Sequence, residues 1–132
     1  MSSKILVVDD EPDVRELFNI TLTMAGFSTD TAKDGLEAVD KLEIKPDLIV
    51  LDLMMPRMNG FGFLGHIREK LSDQPMRVLV ATAKVLEEAD QEQLSSWPVV
   101  GVLNKGELDI AQMVNEVNQA LRRSPLKNGS SS

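Results

Sequence analysis

Short apolar runs recur along the chain, and segments with helical spacing separate them. Such runs carry no alternation of apolar and polar residues, which is typical of strands covered on both faces of a parallel sheet. In the segments between them, apolar residues lie three and four positions apart, as on one face of an amphipathic helix. This alternation predicts an α/β fold with helices on both faces of one parallel sheet. The clearest runs are Ile5–Val8, Leu48–Leu51, Val78–Ala81 and Val99–Leu103.

A fifth strand is expected over Phe27 to Ala32, where Asp30 interrupts the apolar pattern and favours a position at the sheet edge. Pro12 suits the first turn of a helix, and Asp34-Gly35-Leu36-Glu37 resembles a capping box. The expected helices cover about 12–25, 35–45, 63–71, 84–94 and 110–121. Residues 1–123 should form one domain, and the Ser-, Pro- and Gly-rich residues 124–132 a flexible tail or the start of a linker.

Composition narrows the possible partners of the chain. Its formal net charge is −7, which argues against direct binding of nucleic acid or of anionic membranes, since both need clustered Lys and Arg. No apolar run reaches the roughly 18 residues of a membrane-spanning helix. The absence of cysteine excludes disulfides and thiolate metal sites. The first residues show no signal-peptide pattern, so we expect a cytoplasmic protein that does not contact membranes.

Polar side chains follow the apolar runs where buried strands do not need them: Asp9, Asp10, Asp52, Thr82 and Lys105. Each has an ordinary explanation when taken alone. The acidic pair could be solvated surface, Asp52 a cap in the next loop, the threonine a common strand residue, and the lysine a surface charge. In open α/β sheets, however, ligands bind beyond the carboxyl ends of the strands. The placement of these five polar residues at the ends of successive strands therefore favours one shared site.

That site would suit phosphoryl chemistry. Adjacent carboxylates repel each other, and Mg²⁺ relieves the repulsion while it also accepts phosphate oxygens. A carboxylate facing the ion can act as a nucleophile and form an aspartyl phosphate, because the metal offsets the charge of the incoming group. The Thr82 hydroxyl could donate to a phosphoryl oxygen, and the Lys105 ammonium could neutralise phosphoryl charge.

Four stretches of the sequence resemble the receiver domain of two-component response regulators. They occur in the order and spacing typical of that family, and the resemblance covers about residues 4 to 123. It implies a flavodoxin-like, doubly wound fold: a five-stranded parallel sheet of order 2-1-3-4-5 with five helices. The matching stretches are ILVVDDEPDVR, PDLIVLDLMMPRMNG, VLVATA and GVLNK.

The resemblance also implies a role for each residue of the expected metal site. Asp52 would be the phosphoacceptor and would share Mg²⁺ with Asp10, the principal ligand, and Asp9, a second ligand. The backbone carbonyl of Met54 would complete the protein ligands. The thioether of Met54 cannot orient a water molecule for hydrolysis, so a phosphoryl lifetime of minutes or longer is expected.

By the same resemblance, Thr82 is the switch hydroxyl and Lys105 the phosphate-binding lysine of a phosphorelay receiver. The donor would be a phosphohistidine on a sensor histidine kinase or a histidine phosphotransfer protein. The chain would catalyse only its own phosphoryl transfer and dephosphorylation, and so would not be an enzyme acting on a separate substrate. An unknown output partner would bind the face formed by the fourth helix, the fifth strand and the fifth helix. The chain would be a monomer or a phosphorylation-dependent dimer.

The sequence departs from the family pattern at two positions. Val102 stands where family members usually carry Tyr or Phe, and Gly106 where they favour Pro after the lysine, commonly through a cis bond. A cis bond without Pro costs about 3–4 kcal/mol, so a trans bond is expected here. Both departures leave open a second function, a pseudo-receiver that binds proteins without phosphoryl control. A haloacid-dehalogenase-like phosphohydrolase is disfavoured, because Met54 replaces the second Asp that it needs.

Overall fold

Five parallel strands form one sheet in the order β2-β1-β3-β4-β5, the order that the family resemblance implies. The structure is a computed structural model that describes residues 3–53, 62–63, 65, 77–83, 86–95, 98–107 and 109–123. The strand carrying Asp30 lies at one edge, also as expected. The strands are β1 (Lys4–Val8), β2 (Ser28–Ala32), β3 (Leu48–Leu51), β4 (Val78–Thr82) and β5 (Val99–Asn104).

Helices flank the sheet and follow the strands in the alternation that the sequence indicates. Within the described residues they are α1 (Pro12–Met24), α2 (Gly35–Lys41), α3 (Glu88–Leu94) and α4 (Ile110–Arg122). Short 3-10 turns cover Leu42–Ile44 and Lys105–Glu107. Of the expected third helix, residues 63 and 65 are helical, as is residue 62 before it, and the remainder lies outside the described residues. The expected fourth and fifth helices are α3 and α4, and no described helix has the length and apolarity that crossing a bilayer requires.

The sheet divides the apolar core into two layers. Alternate residues of each central strand point to opposite faces, so Leu6 and Val8 enter one layer while Ile5 and Val7 enter the other. Both layers are buried, which explains why these strands are apolar at every position. Buried helix residues complete the layers: Ala38, Phe63 and Leu94 in the first, and Phe18, Leu22, Met113 and Val117 in the second.

The two ends of α1 match the signals in the sequence. Pro12 occupies its first turn, where the missing N–H removes no helical hydrogen bond. After Met24 the chain turns at Gly26, whose φ of 102° is a conformation that glycine adopts without the steric cost of a Cβ atom. The N–H of Phe27 donates to the carbonyl of Leu22 at 3.0 Å and closes the turn that leads into β2.

The start of α3 differs from the expectation. The helix begins at Glu88 instead of near residue 84, and Leu86 and Glu87 precede it in non-helical structure. The Asp90 carboxylate accepts the backbone N–H of Glu87 at 3.0 Å, so a side chain in the first turn holds the residue before the helix. This capping hydrogen bond fixes the start of the helix at Glu88.

Arg123 ties the end of α4 to the edge strand β5. Its guanidinium donates to the carbonyl of Val100 at 3.0 Å and to Gln119 Oε1 at 2.7 Å, and its own carbonyl accepts Arg77 Nε at 2.8 Å. A Cβ atom at Gly101 would lie 3.1 Å from the guanidinium, so glycine gives this arginine its space. The last described residue is thereby attached to both α4 and β5.

The start of α2 carries the predicted cap. Asp34 Oδ1 accepts the N–H of Glu37 at 2.9 Å, and Glu37 Oε1 accepts the N–H of Lys33 at 3.0 Å. The glutamate thus reaches one residue further back than in the standard capping box, where it binds the cap residue itself.

Replacing Asp34 by Ala is expected to lower the free energy of unfolding by about 1 kcal/mol, because the first turn of α2 loses this acceptor. Urea denaturation followed by circular dichroism measures the change. Asp40→Ala, at an exposed position of the same helix, should change stability by only a few tenths of a kcal/mol. Equal losses in the two variants would contradict a capping role for Asp34.

Candidate functional site

Asp9 and Asp52 are brought together by the register of the two central strands. Val8 of β1 pairs with Leu51 of β3, so the next residue of each strand stands at the same level. The N–H of Asp9 donates to the carbonyl of Ala32 at 3.1 Å, and that of Asp52 to the carbonyl of Val8 at 3.0 Å. Both carboxylates therefore leave the sheet at its carboxyl edge, from backbone that the strand hydrogen bonds hold in place.

Asp9 is buried and fixed by its neighbours. Its Oδ1 accepts the N–H of Glu11 at 2.9 Å, and its carbonyl accepts the Arg15 guanidinium at 2.8 Å. Burial raises the pKa of the Asp9 carboxyl above its ordinary value, although the N–H of Glu11 and the ammonium of Lys105 act in the opposite direction. A carboxylate in this position is readily neutralised by a cation.

Lys105 contacts three carboxylates at once. Its Nζ lies 2.9 Å from Asp9 Oδ2, 3.2 Å from Asp52 Oδ2 and 2.6 Å from Glu11 Oε1, and its side chain is only 5% exposed. Burial alone would lower the pKa of the ammonium, but the hydrogen bonds and charges of these carboxylates outweigh that effect and raise the pKa above its usual value. Lys105 therefore stays protonated and supplies a positive charge beside Asp52.

Glu11 is a contact that the sequence reasoning missed. It is the third acidic residue after β1, and it makes the shortest of the three ion pairs with Lys105. Its side chain is 57% exposed, whereas those of Asp9 and Asp52 are 3% and 4% exposed. The ion pair with Glu11 is thus the one most open to solvent.

Three carboxylates at this edge could hold a metal ion. Oxygen atoms of Asp9, Asp10 and Asp52 lie within 4.8 Å of one another. An all-oxygen, carboxylate-rich donor set fits a hard divalent cation such as Mg²⁺. Met54, whose backbone carbonyl was the further expected ligand, lies outside the described residues.

Thr82 and Lys105 come from the neighbouring strands at the same edge. Thr82 is buried at the end of β4 and pairs with Asn104, the last residue of β5, directly before Lys105. Leu51 pairs with Val80, so Asp52 is level with the residue before Thr82. The structure therefore places the predicted residues Asp9, Asp10, Asp52, Thr82 and Lys105 at one edge of the sheet.

Gly106 and Val102 are the two departures from the family pattern. The N–H of Gly106 donates to Asn104 Oδ1 at 2.8 Å, which closes a tight turn immediately after β5. No peptide bond between described residues is cis, so the expected trans bond before Gly106 is confirmed. Val102 is 48% exposed.

Comparison with known proteins gives a consistent result. Residues 5–118 match the family described as the response regulator receiver domain. The transcriptional regulatory protein CpxR homolog of Haemophilus influenzae is 44% identical over 79 residues, which are 60% of this chain and 34% of that protein. Response regulator MprA of Mycobacterium tuberculosis is 43% identical over 88 residues, 66% of this chain and 38% of that protein. The chain thus matches little more than a third of the length of these relatives.

Solved structures match nearly the whole chain. The chemotaxis protein CheY4 of Vibrio cholerae aligns with a TM-score of 0.79 at 26% identity, over 91% of this chain and 99% of that one. Response regulator TrrA of Thermotoga maritima, solved in complex with Mg²⁺-BeF, aligns with a TM-score of 0.73 at 34% identity, over 89% of this chain and 98% of that one.

Proposed function

The chain belongs to the response regulator receiver family, and on that premise we propose that it accepts a phosphoryl group on Asp52 in two-component phosphorelay signalling. The observation that carries the proposal is the contact of Lys105 Nζ with both buried carboxylates, Asp9 at 2.9 Å and Asp52 at 3.2 Å. In this role Asp52 would be the nucleophile, Asp9 a metal ligand and Lys105 the fixed cation that contacts both.

Asp9, Asp10 and Asp52 would hold Mg²⁺, with the Met54 carbonyl as a further ligand, and the ion would neutralise charge between the nucleophile and the phosphoryl group. The Mg²⁺-BeF complex of TrrA supports this choice of cation. An Asp52 carboxylate oxygen attacks phosphorus and forms the O–P bond. The P–N bond of the phosphohistidine donor breaks, and its electron pair stays on the imidazole nitrogen. Lys105 stabilises the negative charge on the phosphoryl oxygens.

Thr82 would then respond to the phosphoryl group on Asp52. Its hydroxyl, buried at the end of β4, would donate to a phosphoryl oxygen on Asp52 and draw the end of β4 toward the site. This movement would shift an existing equilibrium between two states of the face formed by α3, β5 and α4, to which an output partner binds. The protein would act in the cytoplasm as a monomer or a phosphorylation-dependent dimer. Its donor would be a sensor histidine kinase or a histidine phosphotransfer protein, and its catalysis would be limited to its own phosphorylation and dephosphorylation.

Incubation with Mg²⁺ and acetyl phosphate, a small phosphoryl donor, tests the proposal directly. Intact mass spectrometry should show the gain of one phosphoryl group, and EDTA should prevent it. A chain that gains no phosphoryl group from acetyl phosphate or from phosphohistidine donors would contradict the proposal. That outcome would favour the pseudo-receiver, a protein-binding module to which Val102 and Gly106 point.

The phosphorylated form is expected to persist for minutes or longer at 25 °C, because Met54 cannot hydrogen-bond a hydrolytic water. The decay of the phosphorylated mass after removal of acetyl phosphate measures this lifetime. Met54→Asn introduces an amide that can orient water and should shorten the lifetime. Decay of the unmodified chain within seconds would contradict this prediction.

A further inference from the structure

A cavity of about 580 Å³ lies between α3 and the edge strand β5. Protein pockets for ligands typically measure ~300–1,000 Å³, so this one could admit a large side chain or a small molecule. Its described lining is mainly apolar, with polar groups from the strand ends and from α3. The lining includes Thr82, Leu86, Leu94, Val99, Val102 and Asn104.

The strand β5 forms one wall of the cavity and pairs irregularly with β4. The β4–β5 register shifts between Val78 and Leu79, which places Gly101 opposite Leu79. A side chain at Gly101 would point toward Leu79 and Arg123, so the neighbouring Val102 supplies the apolar side chain that lines the cavity while remaining 48% exposed. The cavity is therefore reachable from the surface at an apolar position.

The helix beside this cavity is acidic. Glu88 is exposed and lies one helical turn before Gln91, a lining residue, on the same face of the helix, and Glu87 is exposed directly before the helix begins. Glu92 is also exposed, and residues 86–95 contain no Lys or Arg. A partner with positive charges beside an apolar group would match this surface.

We propose that the cavity binds a segment of a partner protein that inserts one bulky apolar side chain and flanks it with Lys or Arg. The inference rests on the proposed function, because it identifies the chemistry of the output partner. Thr82 lines the cavity and also belongs to the Asp52 site, so phosphorylation and partner binding act on one residue. Their effects on affinity are then reciprocal.

The probe for this test is a fluorescein-labelled peptide of Lys, Arg and Gln with one central Phe, titrated with the full chain in Mg²⁺ and acetyl phosphate. Fluorescence anisotropy measures affinity, and NMR chemical shifts locate the peptide. We expect shifts concentrated in Leu86–Ser95 and Val99–Asn104. A peptide with Ser in place of Phe should bind about tenfold more weakly, the loss expected when a buried apolar side chain is removed.

Two variants separate the apolar and charged contributions. Val102→Phe fills the cavity and should weaken binding by about tenfold, while the matched change Leu36→Phe, at an exposed apolar position on α2, should leave it unchanged. The double variant Glu87→Gln/Glu88→Gln should weaken binding by about threefold and reduce its salt dependence. Thermal melting confirms that each variant is folded.

The outcomes distinguish this inference from the proposed function. Peptide binding that weakens about tenfold in Val102→Phe supports the inference, even where intact mass shows no phosphoryl gain and the proposed function fails. No saturable binding to a fully phosphorylated chain, or equal binding by Val102→Phe, overturns the inference and leaves the phosphorylation proposal standing.

Discussion

Replacing Asp52 by Asn is expected to abolish phosphorylation by acetyl phosphate, with less than about 1% of the wild-type mass gain remaining. The amide keeps the shape of the side chain but loses the anionic oxygen that would attack phosphorus. Asp52 is buried and its Oδ2 lies 3.2 Å from Lys105 Nζ, so the variant also loses one ion pair and one expected metal ligand. Intact mass spectrometry after incubation with Mg²⁺ measures the loss.

Asp40→Asn is the matched control for this experiment. Asp40 is exposed on α2, away from the carboxyl edge of the sheet, so this variant should gain one phosphoryl group at the wild-type rate. Circular dichroism should show both variants folded. A full phosphoryl gain in Asp52→Asn would place the modification on another residue and contradict the proposed mechanism.

Replacing Lys105 by Met is expected to have two large effects. In the absence of Mg²⁺, the variant leaves the buried carboxylates of Asp9 and Asp52 without the Lys105 ammonium. This loss should lower the free energy of unfolding by about 3–5 kcal/mol. With Mg²⁺, much of that stability should return, because a divalent cation bound only by the folded chain stabilises it. Phosphorylation should nevertheless slow by about 100-fold, because the cation beside the transferring group is absent.

Urea denaturation in EDTA and in Mg²⁺ measures the first effect of Lys105→Met, and the rate of phosphoryl gain measures the second. The control is Lys41→Met, which breaks the ion pair of Lys41 with Asp30 at 3.1 Å. Both of those side chains are about a third exposed or more, so the loss should stay below about 1 kcal/mol and should not depend on Mg²⁺. Equal losses in the two lysine variants would show that burial of the Lys105 cluster adds nothing to stability.

The arrangement of the site could be predicted from the sequence because parallel strands end at one edge of a sheet. The apolar runs predict β1, β3, β4 and β5. The residue that follows each run therefore lies at the carboxyl edge of the sheet. Asp9 and Asp52 can be assigned to the same site without knowledge of side-chain packing, because the pairing of β1 with β3 alone makes them neighbours.

Other features depend on interactions that a linear pattern does not reveal. The start of α3 is set by the bond between the Asp90 carboxylate and the N–H of Glu87, in a run where several acidic residues could have served. Glu11 forms an ion pair with Lys105 because the lysine, which directly follows β5, extends its side chain across the edge of the sheet to the residues after β1. The cavity beside Val102 lies between two elements, α3 and β5, that are separate in sequence, so it depends on how they pack.

Arg123 has a mechanical consequence for any polypeptide attached after it. Because its guanidinium donates to the Val100 carbonyl and its own carbonyl accepts Arg77 Nε, Arg123 is anchored at the sheet edge. A displacement of β5 would therefore move Arg123, and with it the start of any polypeptide that follows.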